Sequence, residues 1–342
     1  MNELSQQIAQ LIQQSRQGTL RQINFVIVHT YYEIGRCIVT FLQNGRERAD
    51  YGSHLLSVVS TDLTKLLGRG YSQDNLENMR RFYLAYSISE TVSRKLDENE
   101  SALQKALDQP IFSLSWSHYL FLMRVDNLQE RRFYEIEAAQ NNWSLRELRR
   151  NFDTSLYERL ALSRDKDGVR ALAERGQIIE QPQDLLKEPY ILEFLGLDEK
   201  SRYSEKKLEA AIINKIEYFL LELGKGFTFV ARQHRITFDE EHFWVDLAFY
   251  NRILRRFVLI DLKIGKLTPQ DLGQMQLYVN YYDRYVKLDE EEKTIGIVLC
   301  KSKNQTMVEI TLPTDNDQIF AQKYQTIIPS KEEFIHVLNA SI

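Results

Sequence analysis

The chain has 342 residues, 43% of them hydrophobic and 27% charged, with 14 Gly, 6 Pro and a net charge of -4. This composition excludes collagen-like repeats and bulk disorder and leaves room for two domains. Two cysteines, Cys37 and Cys300, cannot build a disulfide framework or a cysteine zinc site. No apolar run reaches the roughly 18 residues of a membrane helix, and the polar, amphipathic N-terminus lacks a signal-peptide core. The expectation is a reduced, cytoplasmic protein without membrane contact. Charge is unevenly spread. Residues 1–170 carry 22 Lys+Arg, 18 of them Arg, against 21 Asp+Glu, whereas residues 171–342 carry 22 against 27.

The first half reads as helices. Leu4, Ile8, Leu11 and Ile12 recur at helical spacing, and the segment Leu20 to Leu42 continues with Ile23, Val26, Ile27, Tyr31, Ile34 and Ile38 on one stripe. His54–Leu67 is periodic and stops at Gly68-Arg69-Gly70. Ser72 then reads as the N-cap of a helix with Leu76, Met79, Tyr83 and Tyr86 toward the core. That leaves Gln73, Asn75, Asn78, Arg80 and Arg81 exposed, and amides and arginines are the side chains that read base edges or grip phosphate. Residues 87–109 are polar and read as a connection. A second helix, turn and helix follows, its last helix capped by Ser144 and bearing Arg146, Arg149 and Arg150. Helix-turn-helix DNA recognition fits this pattern, and so does a plain helical bundle. The mixed segment 163–189 reads as the domain junction, giving a helical domain over 1–170 and a second domain over 171–342.

The second half changes character. One helix is predicted over Leu208–Leu223, ended by Gly224 and Gly226. Strand-like runs FTFVARQHRITF, HFWVDLAFY and RRFVLIDLKI follow, then a helix with Pro269 in its first turn, the buried-strand pattern TIGIVLC and a further run, TMVEITL. Helix, three strands, helix and strand predict an α/β core with a site at the strand edges.

Three charged residues stand where packing alone would not put them. In RRFVLIDLKI, Asp261 and Lys263 share one strand face with Leu259, opposite Val258, Ile260 and Leu262. Asp246 sits among large apolar residues one hairpin earlier, close enough in sequence to come beside Asp261. Two adjacent carboxylates repel unless a cation lies between them. A buried salt bridge of Lys263 with one Asp is the alternative. Glu209 falls inside the apolar arc of its helix, where a carboxylate needs a partner; Glu217 falls at the edge of the arc and Glu222 outside it. Metal-assisted phosphodiester hydrolysis uses such a set. Carboxylates hold Mg²⁺ or Mn²⁺, and Lys263 orients or deprotonates water and screens the transition state. Gln274, one turn before Tyr278, is placed to bond the water or Lys263. Arg232 and Gln233 on the first strand could touch phosphate or be purely structural. The histidines show no metal-binding spacing.

Asp246, a 14-residue gap and Asp261-Leu262-Lys263 resemble the D…(D/E)-X-K signature of the PD-(D/E)XK nuclease superfamily. Glu209 and the Q-x-x-x-Y pair Gln274 and Tyr278 are similar to accessory positions of its resolvase-like branch. LELGKGFTFVARQ, VDLAFYNRIL, LIDLKIG, GQMQLYV and IGIVLC, with GYSQDNLENMRRFY and WSLRELRRNF, resemble the bacterial YhcG-like family over most of the chain. No Pro precedes Asp246, and Asp261 stands where Glu is more frequent. The resemblance implies an α+β two-domain protein, with an all-α helical domain that binds DNA followed by an α/β restriction-endonuclease-like domain. It implies a Mg²⁺- or Mn²⁺-dependent DNA endonuclease with Glu209, Asp246 and Asp261 as metal ligands, Lys263 catalytic and Gln274 its partner. One such centre cuts one strand, so a homodimer is expected. A silent DNA-binding or assembly protein that keeps the fold is the second reading. A nuclease controlled by a protein partner in a restriction or defence system is the third.

Overall fold

The computed structural model describes residues 3–44, 49–93, 112–162, 164, 166–197, 203–238, 240–331 and 333–334. The chain divides into two compact units, Met1–Leu148 and Arg149–Ile342.

The first unit is helical as expected, with α1 (Glu3–Asn44), α2 (Ala49–Leu67), α3 (Gln73–Ser93), α4 (Trp116–Leu122) and α5 (Leu128–Asn141). The short helix α6 (Leu145–Asp153) carries the division between the units. The buried seam of α1 is Val28, Tyr32 and Val39, whereas Ile23, Val26 and Ile27 of the predicted stripe are exposed. Gly35 explains this choice of phase. A Cβ built there would lie 2.1 Å from the carbonyl oxygen of Met79, so the glycine face is where α1 and α3 approach closely. On α3, Leu76 and Met79 are buried as predicted and Phe82 is buried with them, while Tyr83 and Tyr86 are only half-buried. The Ser72 cap is real: its Oγ accepts from Asn75 N at 3.3 Å. Asn75 is half-buried, because its amide donates to Gly70 O at 2.6 Å and its carbonyl accepts from Trp116 Nε1 at 3.2 Å. The predicted connection begins late, since α3 runs to Ser93; residues 94–109 of it lie outside the described residues. The side chains of Leu4, Ile8, Leu11 and Ile12 lie outside them too. Gln22–Leu42, with mean hydropathy 1.2, is long and apolar enough by length and composition alone to cross a membrane, though Glu33 and Arg36 interrupt its apolar run. Here its Tyr32 packs edge-on against Phe82 at 5.9 Å.

The second unit opens with α7 (Leu156–Ala161) and α8 (Lys166–Arg175) and then builds a mixed sheet. Its strands are β1 (Tyr190–Ile191), β2 (Phe227–Phe238), β3 (Glu241–Asn251), β4 (Arg256–Lys266), β5 (Ile295–Ser302) and β6 (Ile319–Gln325). Among the described residues the order is β1-β6-β5-β4-β3-β2. The β2–β3–β4 part is antiparallel and the β4–β5–β6–β1 part parallel. Two helices, α9 (Glu205–Asn214) and α10 (Ile216–Leu223), cover one face through Leu208, Ile212, Phe219 and Leu223, against Leu247, Val258, Ile260 and Leu262. The helices α11 (Pro269–Tyr285) and α12 (Gln305–Thr311) cover the other, with Met275, Tyr278 and Val279 on Ala248, Leu259 and Val298. The alternation predicted for β4 thus holds. TMVEITL forms α12, not a strand, because Asn304 caps it by accepting from Met307 N at 3.2 Å.

Where one helix was predicted over Leu208–Leu223 there are two, broken at Lys215 (φ -129, ψ 37). The break resets the helical phase. Glu222, placed outside the apolar arc by a continuous 100° count, is fully buried. It meets the Arg159 guanidinium, and the Lys187 ammonium donates to its backbone oxygen. Arg159 also donates to Thr154 O at 2.8 Å and Pro189 O at 3.1 Å. These bonds tie α7, counted with the first half in the sequence reading, into the second unit.

Candidate active site

The site is built where β3 and β4 part. Their ladder ends at the Leu247–Ile260 pair. One residue further, the Asp246 carboxylate replaces the missing ladder bond, accepting from Leu262 N at 2.9 Å through Oδ2. Asp246 therefore stands beside Asp261, as the hairpin predicted. Lys263, two residues on, reaches Asp261 Oδ2 at 2.8 Å and has Asp271 Oδ1 at 3.8 Å. Asp271 is held in turn by the N-cap of α11, accepting from Thr268 N at 2.8 Å.

Burial and then the charge of Asp246 push the Asp261 carboxyl up to about 7, against the opposing pull of Lys263. Burial works against the charged form of Lys263, but the charge of Asp261, with Glu205 and Asp271 further off, outweighs it and raises the lysine. Lys263 is thus held as a cation, which suits orientation and charge screening and not removal of a proton from water.

Glu209 comes from α9, whose Ser204 cap accepts from Lys207 N at 3.2 Å. It is buried, and desolvation followed by the charge of Asp246 raises its carboxyl. Its link to Asp246 is Gln233 of β2: Nε2 donates to Glu209 Oε2 and to Asp246 Oδ1, each at 2.9 Å. Gln233, for which the sequence left open a phosphate contact or a structural role, takes a left-handed φ of 45° and donates to both carboxylates. Nothing in a strand pattern signals that conformation. Its neighbour Arg232 is half-exposed and has its Nε 3.4 Å from Glu209 Oε1.

Gln274 donates to Tyr278 Oη, not to Lys263, and Tyr278 Oη donates to Trp244 O at 2.9 Å. The pair therefore ties α11 to β3 two residues before Asp246. Burial, then the charge of Asp261, pushes the Tyr278 phenol up to about 12.

The fit to a divalent ion can be judged from the donors. Glu209 Oε1 is buried without a hydrogen bond, with the Arg232 Nε at 3.4 Å, and Asp261 Oδ2 is buried against the Lys263 ammonium at 2.8 Å. Buried carboxylate oxygens left in this state suit a hard cation such as Mg²⁺. Among the described residues, however, no three His, Cys, Asp or Glu side chains converge closely enough to ligate one ion together. The Gln233 amide stands between two of them.

The arginines assigned to DNA separate by environment. Arg81, 67% exposed, and Arg80 both pair with Glu77, at 3.1 and 2.7 Å. Arg150 is a correction. Its side chain is 12% exposed and bonded to Glu193 at 2.9 Å and Glu222 at 3.4 Å, so its Nε and Nη2 serve packing in the second unit and the side chain is not on the surface. Arg146 and Arg149 also have interaction partners.

A mixed sheet flanked by helices, with Asp246, Asp261 and Lys263 on adjoining strands, is the architecture of PD-(D/E)XK nucleases. Residues 183–339 match the YhcG PDDEXK nuclease domain, and residues 7–159 match the DUF1016 N-terminal domain. The chain is 38% identical over 339 residues to the YhcG protein of Escherichia coli (strain K12), covering 95% of this chain and 90% of that protein. The chain belongs to the YhcG nuclease family. Among solved structures it has a distant likeness to a repair endonuclease from Pyrococcus abyssi, 18% identical with TM-score 0.26, over 38% of this chain and 50% of that one. A structure of an EndoMS–dsDNA2 complex is 15% identical with TM-score 0.26, over 40% of this chain and 51% of that one. The chain spans about half the length of each.

Proposed function

We propose that the chain is a divalent-metal-dependent DNA endonuclease whose helical first unit binds DNA. The observation that carries this reading is half-buried Asp246 beside buried Asp261 at the β3–β4 divergence, with the Lys263 ammonium 2.8 Å from Asp261. Asp246 and Asp261 would hold Mg²⁺ or Mn²⁺, with Glu209 of α9 joined to Asp246 through the Gln233 amide. When bound, the ion supplies a more acidic water and offsets charge on the phosphate. Lys263, fixed between Asp261 and Asp271, presents a positive charge toward the scissile phosphate and stabilises the anion formed there. Tyr278 and Gln274 hold β3 against α11 and keep Asp246 in register. One centre cuts one strand, so double-strand cleavage uses two copies, and a homodimer is part of the proposal.

A silent assembly protein with the same fold is the second reading. The observation on its side is that no three ligating side chains converge among the described residues. Incubation of the purified chain with plasmid, branched and single-stranded DNA, with Mn²⁺, with Mg²⁺ and with EDTA, separates the two. Cleavage that needs the ion and disappears in both Asp261→Asn and Lys263→Met supports the nuclease. Cleavage that persists in both variants removes these residues from the mechanism, and wild type that neither cuts nor binds Mn²⁺ establishes the second reading.

A further inference from the structure

We infer that Gln233 is a positioning residue of the ion site, holding Glu209 and Asp246 in register through a single side-chain amide. The inference rests on the metal-dependent reading and goes further, because it concerns a residue that acts through the carboxylates it holds. Carboxylates accept hydrogen bonds and do not donate them, so only the NH₂ end of the amide can face two of them. Gln233 Nε2 meets Glu209 Oε2 and Asp246 Oδ1 at the same 2.9 Å, one hydrogen for each. Two like charges that would otherwise push α9 away from β3 are thereby linked.

A second, independent observation is the backbone. Gln233 has φ 45°, a conformation that a residue with a Cβ rarely adopts and that persists only where the surroundings impose it. It falls between the Arg232–Leu247 and His234–Val245 pairs, directly across from Asp246. The distortion is therefore placed where the amide is needed. The amide also uses only one oxygen of each carboxylate. Glu209 Oε1 is left buried without a hydrogen bond, and Asp246 Oδ2 accepts from Leu262 N. Asp246 keeps lone pairs for an ion beside Asp261 while the Gln233 amide holds Glu209 next to it. Arg232, next in the chain, adds its Nε 3.4 Å from Glu209 Oε1, so this short stretch of β2 contacts both oxygens of Glu209.

Partners that orient metal-ligating carboxylates typically account for about 10–100-fold in metal affinity. The test is Mn²⁺ titration calorimetry on the full chain, with thermal unfolding in EDTA, for wild type, Gln233→Leu, Gln233→Gly and Asp246→Asn. Gln233→Leu removes the amide at similar size. Gln233→Gly removes it too, but glycine adopts a positive φ without strain, so its fold is secure even if the leucine variant unfolds. The expected result is a Kd for Mn²⁺ raised about 10–100-fold in both Gln233 variants, with Gln233→Gly unfolding in EDTA within a few degrees of wild type. A residue that only braced the strand would change the unfolding temperature and leave the Kd alone. Wild-type Kd in Gln233→Gly, with binding weakened in Asp246→Asn, overturns the role of Gln233 and leaves the nuclease reading standing. Wild-type Kd in Asp246→Asn overturns both.

Discussion

Substituting Glu222 by Gln perturbs the most heavily paired buried charge described in the second unit. Glu222 is fully buried; Arg159 and Arg150 face its carboxylate, and Lys187 donates to its backbone oxygen. Burial alone would raise the carboxyl, but Arg159, then Lys187 and Arg150, more than reverse this and hold it at about 2 against an ordinary 4.5. At about 1.4 kcal/mol for each tenfold in proton affinity, that difference is worth about 3 kcal/mol. The folded value lies below the unfolded one, so the contribution is complete above about pH 5. It fades as pH falls toward 2, because the unfolded chain takes up its proton first. Glu222→Gln takes from the buried Arg159 guanidinium the carboxylate that faces it, and the expected loss at pH 7 is about 3–5 kcal/mol. Urea unfolding followed by circular dichroism at several pH values between 2 and 7 measures both quantities. Wild type should lose about 3 kcal/mol more than the variant between pH 5 and 2. Equal losses over that window would show that Glu222 is not the group that senses acid.

Other substitutions read different parts of the molecule. Lys263→Met should reduce DNA cleavage roughly 10²–10³-fold, the typical effect of losing one preorganised charge-stabilising donor, while calorimetric Mn²⁺ binding remains; lost binding would make the lysine structural. Gly35→Ala forces a Cβ within 2.1 Å of Met79 O and should destabilise the first unit by about 1–3 kcal/mol, measured by thermal unfolding; an unchanged midpoint would mean that α1 and α3 separate freely. Arg81→Ala should weaken DNA binding at every sequence and flatten its salt dependence by about one counterion, whereas Arg150→Ala should instead lower stability. A normal DNA salt slope in Arg81→Ala removes that arginine from the interface.

The sequence made the chemistry of the site legible through exceptions to pattern. Asp261 and Lys263 interrupt an apolar strand, Asp246 interrupts another, and Glu209 lies on a buried stripe; each is an unfavourable placement that packing does not require. Strand geometry alone also put Asp261 and Lys263 on one face of β4, although helices cover both faces of that strand and its apolar run is nearly continuous. Other features were hidden. The Lys215 break depends on one residue leaving helical geometry, and past it the count that located Glu209 places Glu222 on the wrong side. The seam of α1 is selected by Gly35, whose lack of a side chain makes no mark on a hydrophobic pattern. Arg150 looks like a phosphate contact until Glu193 and Glu222, 43 and 72 residues away in sequence, are brought beside it. Gln233 needs a positive φ that no residue but glycine announces.

The replacement of a ladder bond by a side chain has a consequence for how the site is probed. Past the Leu247–Ile260 pair, the Leu262 N–H has the Asp246 carboxylate as its acceptor. Asp246 therefore does two things at once: it supplies negative charge to the site and it closes a strand junction that opens toward the carboxylates. Removing it as Asp246→Ala leaves a part-buried N–H without that acceptor, which carries a penalty of about 1–3 kcal/mol, and frees Gln233 from one of its two anchors. Lost cleavage in that variant would then confuse the role of the charge with the opening of the sheet. Asp246→Asn keeps a carbonyl oxygen for Leu262 N and so holds the strand junction closed, while it gives up the charge and, with its NH₂ now facing the Gln233 amide, that one anchor. Because it also relieves the repulsion from Asp261, the asparagine variant should unfold at a temperature no lower than wild type while losing Mn²⁺ affinity. That combination, held or raised stability with a lost ligand, is the signature of a carboxylate retained for an ion and not for the fold.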